Sequence, residues 1–376
     1  MIAGGGTGGH IYPGIAVAEA LEQLEPGIET FFMGRRGSIE ERVVTETGRT
    51  FETVPSRGFI RGGRLVNVAV PFVVGAGYAA GVTKLMRRRP DAALGTGGFA
   101  SLPPVIAAAS LHVPVALQEQ NSYPGLATRV LSRWADVVHT TFEETRTHLP
   151  RAKRIELSGN PIRAALGDAA GEGLHSDTAG SMRAAARRGF GLSDGAPVIF
   201  LLGGSGGARS MSLAIADAAA ELAAGGIEMI IQTGRDELPL VRESCSKAGA
   251  TAVVESYFDN VADAYAACDL VVSRAGATTL AETAVVARPA ILVPYPYATE
   301  GHQMKNARAV EAAGAAVVIP DGELAGDSLA RRIQELLRDR TRLERMAHAA
   351  RTLARPDAAR RVAESVLALA RGRGGA

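Results

Sequence analysis

The sequence predicts an α/β protein of two domains, each a parallel sheet covered by helices, and three observations carry that prediction. Apolar runs of strand length alternate with stretches of helical period along the chain. Three of the junctions share one grammar, an apolar strand, a glycine-rich turn and a helix: MIAGGGTGGHIYPGIAVAEAL, AALGTGGFASLPPVIAAASL and VIFLLGGSGGARSMSLAIADAAAEL. At 376 residues the chain is long for one core and comfortable for two.

Taken in order, the first unit opens the chain, with only Met1 to Ala3 ahead of its glycines, a short lead that fits a start a few residues upstream. Strands follow at TFFMG (30–34), in the second unit before its glycines, at VPVALQ (113–118) and at ADVVHTT (135–141). The polar, glycine-rich stretch GDAAGEGLHSDTAGS has the character of a linker, which places a boundary near Arg163 and domains at 1–163 and 164–355. The second half opens with the third unit and continues through EMIIQTG (228–234), LVVSRAG (270–276) and PAILVPYP (289–296). Pro356 and Asp357 start a closing amphipathic helix, 356–376 with its basic tail, too short for a third domain.

Composition narrows the class. With 47% hydrophobic and 21% charged residues the chain is globular, and a formal charge of +2 argues against bulk nucleic-acid binding. Cys245 and Cys268 belong to no metal-ligand pattern, so a reducing cytoplasm without structural zinc is expected. No basic-then-apolar export signal opens the chain. The stretch from Leu65 to Thr83 carries no charge and is flanked by Arg61, Arg64, Lys84 and Arg87 to Arg89. Asn67, Pro71 and three glycines interrupt it; a spanning helix, a buried core helix and a helix lying in the membrane interface all fit.

Glycine between strand and helix lets the backbone approach a ligand, and the helix that follows offers free N–H groups and a positive dipole end. Phosphate is the natural guest. Residues 4 to 9 match GxGxxG, which raises a dinucleotide site, but Gly34, Arg35 and Arg36 stand where an acidic ribose partner is expected. The arginines leave a 2′-phosphate cofactor open. The third loop, LGGSGGARS, weighs instead for two phosphate-binding domains and a nucleotide-linked donor.

Seven motifs in order, GGGTGGHIYPGIAVAEAL, GTGGFASLPP, QEQNSYPGLATR, SGNPIR, LGGSGGARS, YAACDLVVSRAGATTLAE and HQMKNA, make the chain resemble the MurG family of peptidoglycan N-acetylglucosaminyltransferases. The resemblance runs from residue 3 to about residue 370. It implies a GT-B fold, two Rossmann-like domains facing across a cleft, with the closing helix packed back on the first domain. The implied reaction is inverting transfer of GlcNAc from UDP-GlcNAc to the 4-hydroxyl of lipid I, giving lipid II and UDP. It also implies a peripheral place on the cytoplasmic leaflet of the plasma membrane, with other cell-wall synthesis proteins as further partners and no nucleic acid.

Carried over residue by residue, the resemblance puts the donor at Arg163 of GNPIR and at Ser205 and Gly206 of the third loop, where a guanidinium and helix N–H groups would meet the diphosphate. It adds Gly276, Ala277, Thr278, Thr279 and Leu280, with Glu282 on the ribose hydroxyls. Phe258 would recognise uracil through its backbone, His302 and Gln303 would stand near the sugar, and Asn121 would reach it from the first domain. Thr7, Gly8 and Gly9 are implied for both donor and acceptor, and Gly97 and Gly98 for the acceptor diphosphate. His10 is the candidate general base: the positive end of a helix favours neutral imidazole, the form that accepts a proton. Glu119 is read as structural. Two departures from the family pattern are Gly206, where glutamine is common, and Gln118, where many members have histidine.

Simpler roles stand beside these: an interdomain ion pair for Arg163, a helix-start carboxylate for Glu282, a helix cap for His10. No DxD-like pair adjoins the donor motifs, so no obligatory metal or other cofactor is expected. On the membrane side, Phe72, Val73 and Tyr78 with Arg87 to Arg89 would meet an anionic leaflet, each basic residue contributing about 1 kcal/mol. Competing readings are a diacylglycerol galactosyltransferase of the same superfamily, a UDP-GlcNAc 2-epimerase, an NADP-dependent oxidoreductase and a non-catalytic nucleotide-sugar binder.

Overall fold

Nine interior strands are long enough in apolar residues to be read from sequence, and each is found. The computed structural model describes residues 1–58, 68–162, 166, 179–203, 208–258 and 260–374. Most of the linker stretch, with Arg163, Ser205 and Gly206, lies outside them. The chain divides into two compact units, Met1–Ala164 with Asp357–Ala376, and Ala165–Pro356.

In the first unit, β1 (Ile2–Gly4), β2 (Phe31–Gly34), β3 (Thr50–Thr53), β4 (Ala93–Gly97), β5 (Val115–Glu119), β6 (Val137–Thr140) and β7 (Ile155–Leu157) form one parallel sheet. Their order is β3-β2-β1-β4-β5-β6-β7, with the winding reversed at β1 and β4. Helices cover both faces, so the interior strands carry no polar alternation. Gly4 sits opposite Gly97 after a register shift, so the first two glycine turns leave the sheet side by side.

The helix Ala358–Gly374 closes this unit. Its Val362, Ala363, Val366 and Leu367 share one core with Ile11, Ile15, Val17 and Leu21 of the helix Gly8–Leu24. Burial of each Val or Leu contributes about 1.5–3 kcal/mol, which fastens the chain's far end to its beginning.

The second unit repeats the plan. Its strands are β8 (Val198–Leu202), β9 (Glu228–Gln232), β10 (Ala252–Glu255), β11 (Leu270–Ser273), β12 (Ala290–Leu292) and β13 (Ala316–Val318), ordered β10-β9-β8-β11-β12-β13 and all parallel. At the amino ends of β8 and β11, buried Arg187 donates to Asp269 at 2.9 Å and to the carbonyls of Ala267, Ser193, Asp194 and Ala196. Asp269 also accepts from Val198 N–H and pairs with Arg183, so one carboxylate ties two strands to the helix Ala179–Gly189.

The charge-free stretch is a helix over Val70–Arg88 for its described part. Only Val70, Gly77, Gly81 and Leu85 are buried in it, and Phe72 is 77% exposed. It is therefore neither a core helix nor a span: among the described residues no helix is long and apolar enough to cross a membrane.

Candidate active site

The carboxyl edge of the first sheet carries a histidine in a cage built by its own loops. Thr7 is the N-cap residue of Gly8–Leu24 in extended conformation and makes no side-chain cap bond, while Gly8, Gly9 and His10 form the first turn. His10 is half-buried, and its Nδ1 lies 3.1 Å from Gln120 Oε1. Gly97 and Gly98 form the floor. They hold φ of +96° and +75°, and a Cβ at Gly97 would stand 2.9 Å from His10 Nδ1. A Cβ at Gly98 would lie 1.9 Å from the Gly5 carbonyl oxygen and 3.1 Å from His10 Cδ2. The second glycine turn thus accommodates an imidazole ring of the protein itself.

The first turn likewise meets a group of the protein. Ser38 caps the helix Ile39–Glu46, accepting from Glu41 N–H, and this aims buried Glu40 at the loop. Gly6 N–H donates to Glu40 Oε2 at 3.2 Å, and a Cβ on Gly5 would fall 2.4 Å from the Glu40 carboxyl carbon. One loop amide is thereby committed to an internal carboxylate, and the residues implied for substrate, Thr7, Gly8 and Gly9, lie just beyond it.

Beside this cage, buried Glu119 accepts from Asn121 N–H and Asn121 Nδ2 at 3.0 and 3.2 Å, and from Gly125 N–H at 3.1 Å. Its oxygens are spent on the turn that presents Asn121, which is the structural role read from sequence. On the same sheet His139 is buried with Nδ1 2.6 Å from Ser158 Oγ. Burial, with the nearby Arg154 charge, lowers its pKa to about 4.

In the second unit the donor candidates gather at the carboxyl edge of β11 and β12. Gly276 is the N-cap residue of the helix Ala277–Val285, which carries Ala277, Thr278, Thr279, Leu280 and Glu282. Glu282 is that helix's sixth residue, past its first turn, so the helix-start role is set aside. Its Oε2 accepts from Tyr265 O–H at 3.3 Å. Tyr265 is fully buried in Val261–Ala267, and burial followed by the Glu282 charge raises its pKa well above that of a free phenol. Phe258 buries its ring edge-on to Phe190 and Phe200, with centroids 5.8 and 6.2 Å away, so its side chain belongs to the core.

His302 and Gln303 begin the helix His302–Ala312 after Gly301 at φ +66°. Gln303 Oε1 accepts from Tyr295 N–H at 2.9 Å, which ties that helix to the loop after β12. A further cluster was not read from sequence. Arg274 donates to Asp321, to Ser210 Oγ at 2.8 Å and to the Val293 carbonyl, and lies 5.6 Å from the Tyr295 ring centre. Ser210 stands in the first turn of Arg209–Ala224, so this cluster joins the start of that helix to the segments that follow β11, β12 and β13.

Gln120, Glu40, Tyr265 and Arg274 are thus the supporting residues that sequence reading missed. Tyr265 left one signal, a lone aromatic in the alanine-rich ADAYAA.

Two doubly wound parallel sheets, each with polar groups at its carboxyl edge, are the architecture of the GT-B fold. Residues 1–140 match the glycosyltransferase family 28 N-terminal domain and residues 198–362 the family 28 C-terminal domain. The chain belongs to the MurG family within this group. Two relatives named UDP-N-acetylglucosamine–N-acetylmuramyl-(pentapeptide) pyrophosphoryl-undecaprenol N-acetylglucosamine transferase are similar along their lengths. The Symbiobacterium thermophilum protein is 36% identical over 371 residues, 99% of this chain and 96% of its own. That of Geobacter sulfurreducens is 38% identical over 373 residues, 99% and 98%. Among solved structures, MurG of Acinetobacter baumannii superposes with a TM-score of 0.76 at 25% identity, covering 98% of both chains. A Neisseria meningitidis UDP-GlcNAc 2-epimerase bound to UDP-GlcNAc shares the fold, with a TM-score of 0.63 at 15% identity.

Proposed function

We propose that this chain transfers N-acetylglucosamine from UDP-GlcNAc to the 4-hydroxyl of the MurNAc sugar of lipid I, releasing lipid II and UDP. Near full-length kinship to transferases of that name carries the reading. His10 takes the proton of the acceptor hydroxyl, whose oxygen attacks the anomeric carbon as the bond from that carbon to UDP breaks. The electron pair leaves with the diphosphate, and the configuration inverts. Donor contacts are assigned to Asn121, Arg163, Ser205, Gly206, Phe258, the run Gly276 to Leu280, Glu282, His302 and Gln303. Thr7, Gly8 and Gly9 serve donor and acceptor, and Gly97 and Gly98 border the acceptor through the His10 cage. No obligatory metal takes part, so a chelator should leave turnover unchanged.

The test is incubation with labelled UDP-GlcNAc and a short-chain lipid I analogue, following the labelled disaccharide. Absence of disaccharide while UDP-GlcNAc still binds would contradict the transfer.

The place of work is the cytoplasmic face of the plasma membrane, held peripherally. Exposed Phe72 and the cations of Val70–Arg88 support this. Lys84 and Arg88 pair with Glu52, whose carboxyl they hold below its ordinary range, foremost through the Lys84 hydrogen bond. Arg87 and Arg89 make no ion pair with a described residue. Phe72→Asp should weaken cosedimentation with vesicles rich in anionic lipid; unchanged binding would move the contact elsewhere.

A further inference from the structure

We infer that Gln120 is a positioning residue that sets the tautomer of His10, keeping the proton on Nδ1 and the lone pair on Nε2. The inference rests on the reading of His10 as the base, and it names what makes that base competent.

Gln120 is buried, and its Nε2 donates to the Thr96 carbonyl at 2.9 Å and to the Gln118 carbonyl at 3.3 Å. Turning the amide over would set Oε1 against those two carbonyl oxygens, four lone pairs facing without a proton between them. The amide orientation is therefore set by backbone at the ends of β4 and β5. Its Oε1, 3.1 Å from His10 Nδ1, can only accept. A neutral imidazole has one N–H, and this contact places it on Nδ1.

The glycines make room for the ring beside Gln120: a Cβ at Gly97 would stand 2.9 Å from Nδ1 and 3.1 Å from Cε1, and one at Gly98 would stand 3.1 Å from Cδ2. Nε2 makes no hydrogen bond to a described residue, which leaves its lone pair as the proton acceptor. In the other tautomer Nδ1 and Oε1 would repel, and Nε2 would carry a proton with no room for a second while the ring stays neutral.

The experiment is nitrogen-15 NMR of the full protein labelled at histidine, with the His10 signals assigned by their loss in His10→Ala. Two-bond couplings from the ring protons report which nitrogen is protonated. Wild type should show His10 protonated at Nδ1. Gln120→Met keeps side-chain length without an acceptor, and it should move His10 toward the Nε2–H tautomer. Turnover should fall about 3- to 10-fold, the worth of one hydrogen bond, with the KM for UDP-GlcNAc unchanged. Wild-type His10 protonated at Nε2 overturns the inference without recourse to any variant, and so does a Gln120→Met protein with the tautomer unmoved. A moved tautomer with full turnover also overturns it: if His10→Ala is slow, only the role of Gln120 falls, and if His10→Ala is fast, the base assignment falls with it.

Discussion

The two units wind their sheets alike up to the sixth strand, yet they finish their carboxyl edges by opposite means. The first unit builds with missing side chains: glycines at 5, 97 and 98 yield space to Glu40 and His10, and backbone atoms form the walls. The second builds with present ones: Tyr265 on Glu282, and Arg274 across Ser210 and Asp321. One strand order therefore carries two kinds of site, and chemistry is decided by what the turns leave room for. The first arrangement should fail when atoms are added, and the second when polar atoms are removed.

The largest effect is expected in the first unit. Gly98→Ala puts a methyl into the Gly5 carbonyl at a positive φ, and neither backbone segment can step aside. A loss above about 3 kcal/mol in unfolding free energy is expected, with turnover abolished. An unchanged urea midpoint would show that the cage is loose.

The matching break in the second unit is Glu282→Ala. If Glu282 holds the ribose hydroxyls as proposed, losing the net worth of one charge-assisted hydrogen bond, about 1.5–3 kcal/mol, should raise the KM for UDP-GlcNAc about 10- to 100-fold while saturated turnover persists. A fall in saturated turnover at constant KM would place Glu282 in the chemistry instead.

Acid should separate the units next. His139 has a folded pKa of about 4 against 6.5 when free, so between those values the unfolded chain binds the extra proton. Stability is then greatest above pH 6.5 and is lost as pH falls toward 4, by about 2 kcal/mol from pH 7 to pH 5. His139→Gln should flatten that part of the urea-midpoint profile; an equally steep profile would assign the slope to other groups.

The smallest effect is Tyr265→Phe, which removes one donor from Glu282. It should raise the KM for UDP-GlcNAc about 3- to 10-fold, and nothing further in a Glu282→Ala background. Additive losses would mean that Tyr265 acts by packing alone.

What sequence could reveal follows burial. The strands legible in advance are the interior ones of both sheets, where VIFLL or FFMG is covered on two faces. The unread strands, β3, β7, β10 and β13, are the four sheet edges, short and half-buried: TFET and IEL carry no apolar run, and AVVE and AVV carry only a brief one. The charge-free stretch 65–83 read three ways because the exposure of one helix face depends on neighbours that local composition does not encode. At the site, His10 and Glu282 were legible through their motifs. Their supports were not: Gln120 and His10 stand 110 residues apart, and Tyr265 and Glu282 meet only because a strand intervenes. Gly97 and Gly98 were read as room for a substrate diphosphate, and the structure sets the His10 ring against them.

The division of labour between the units comes down to one pair of numbers for His10→Ala, its turnover on a lipid I analogue and its affinity for UDP-GlcNAc. Turnover should fall at least ~100-fold, the scale of a general base, with affinity held within about 2-fold. Near-normal turnover, or a parallel loss of donor affinity, would contradict the account.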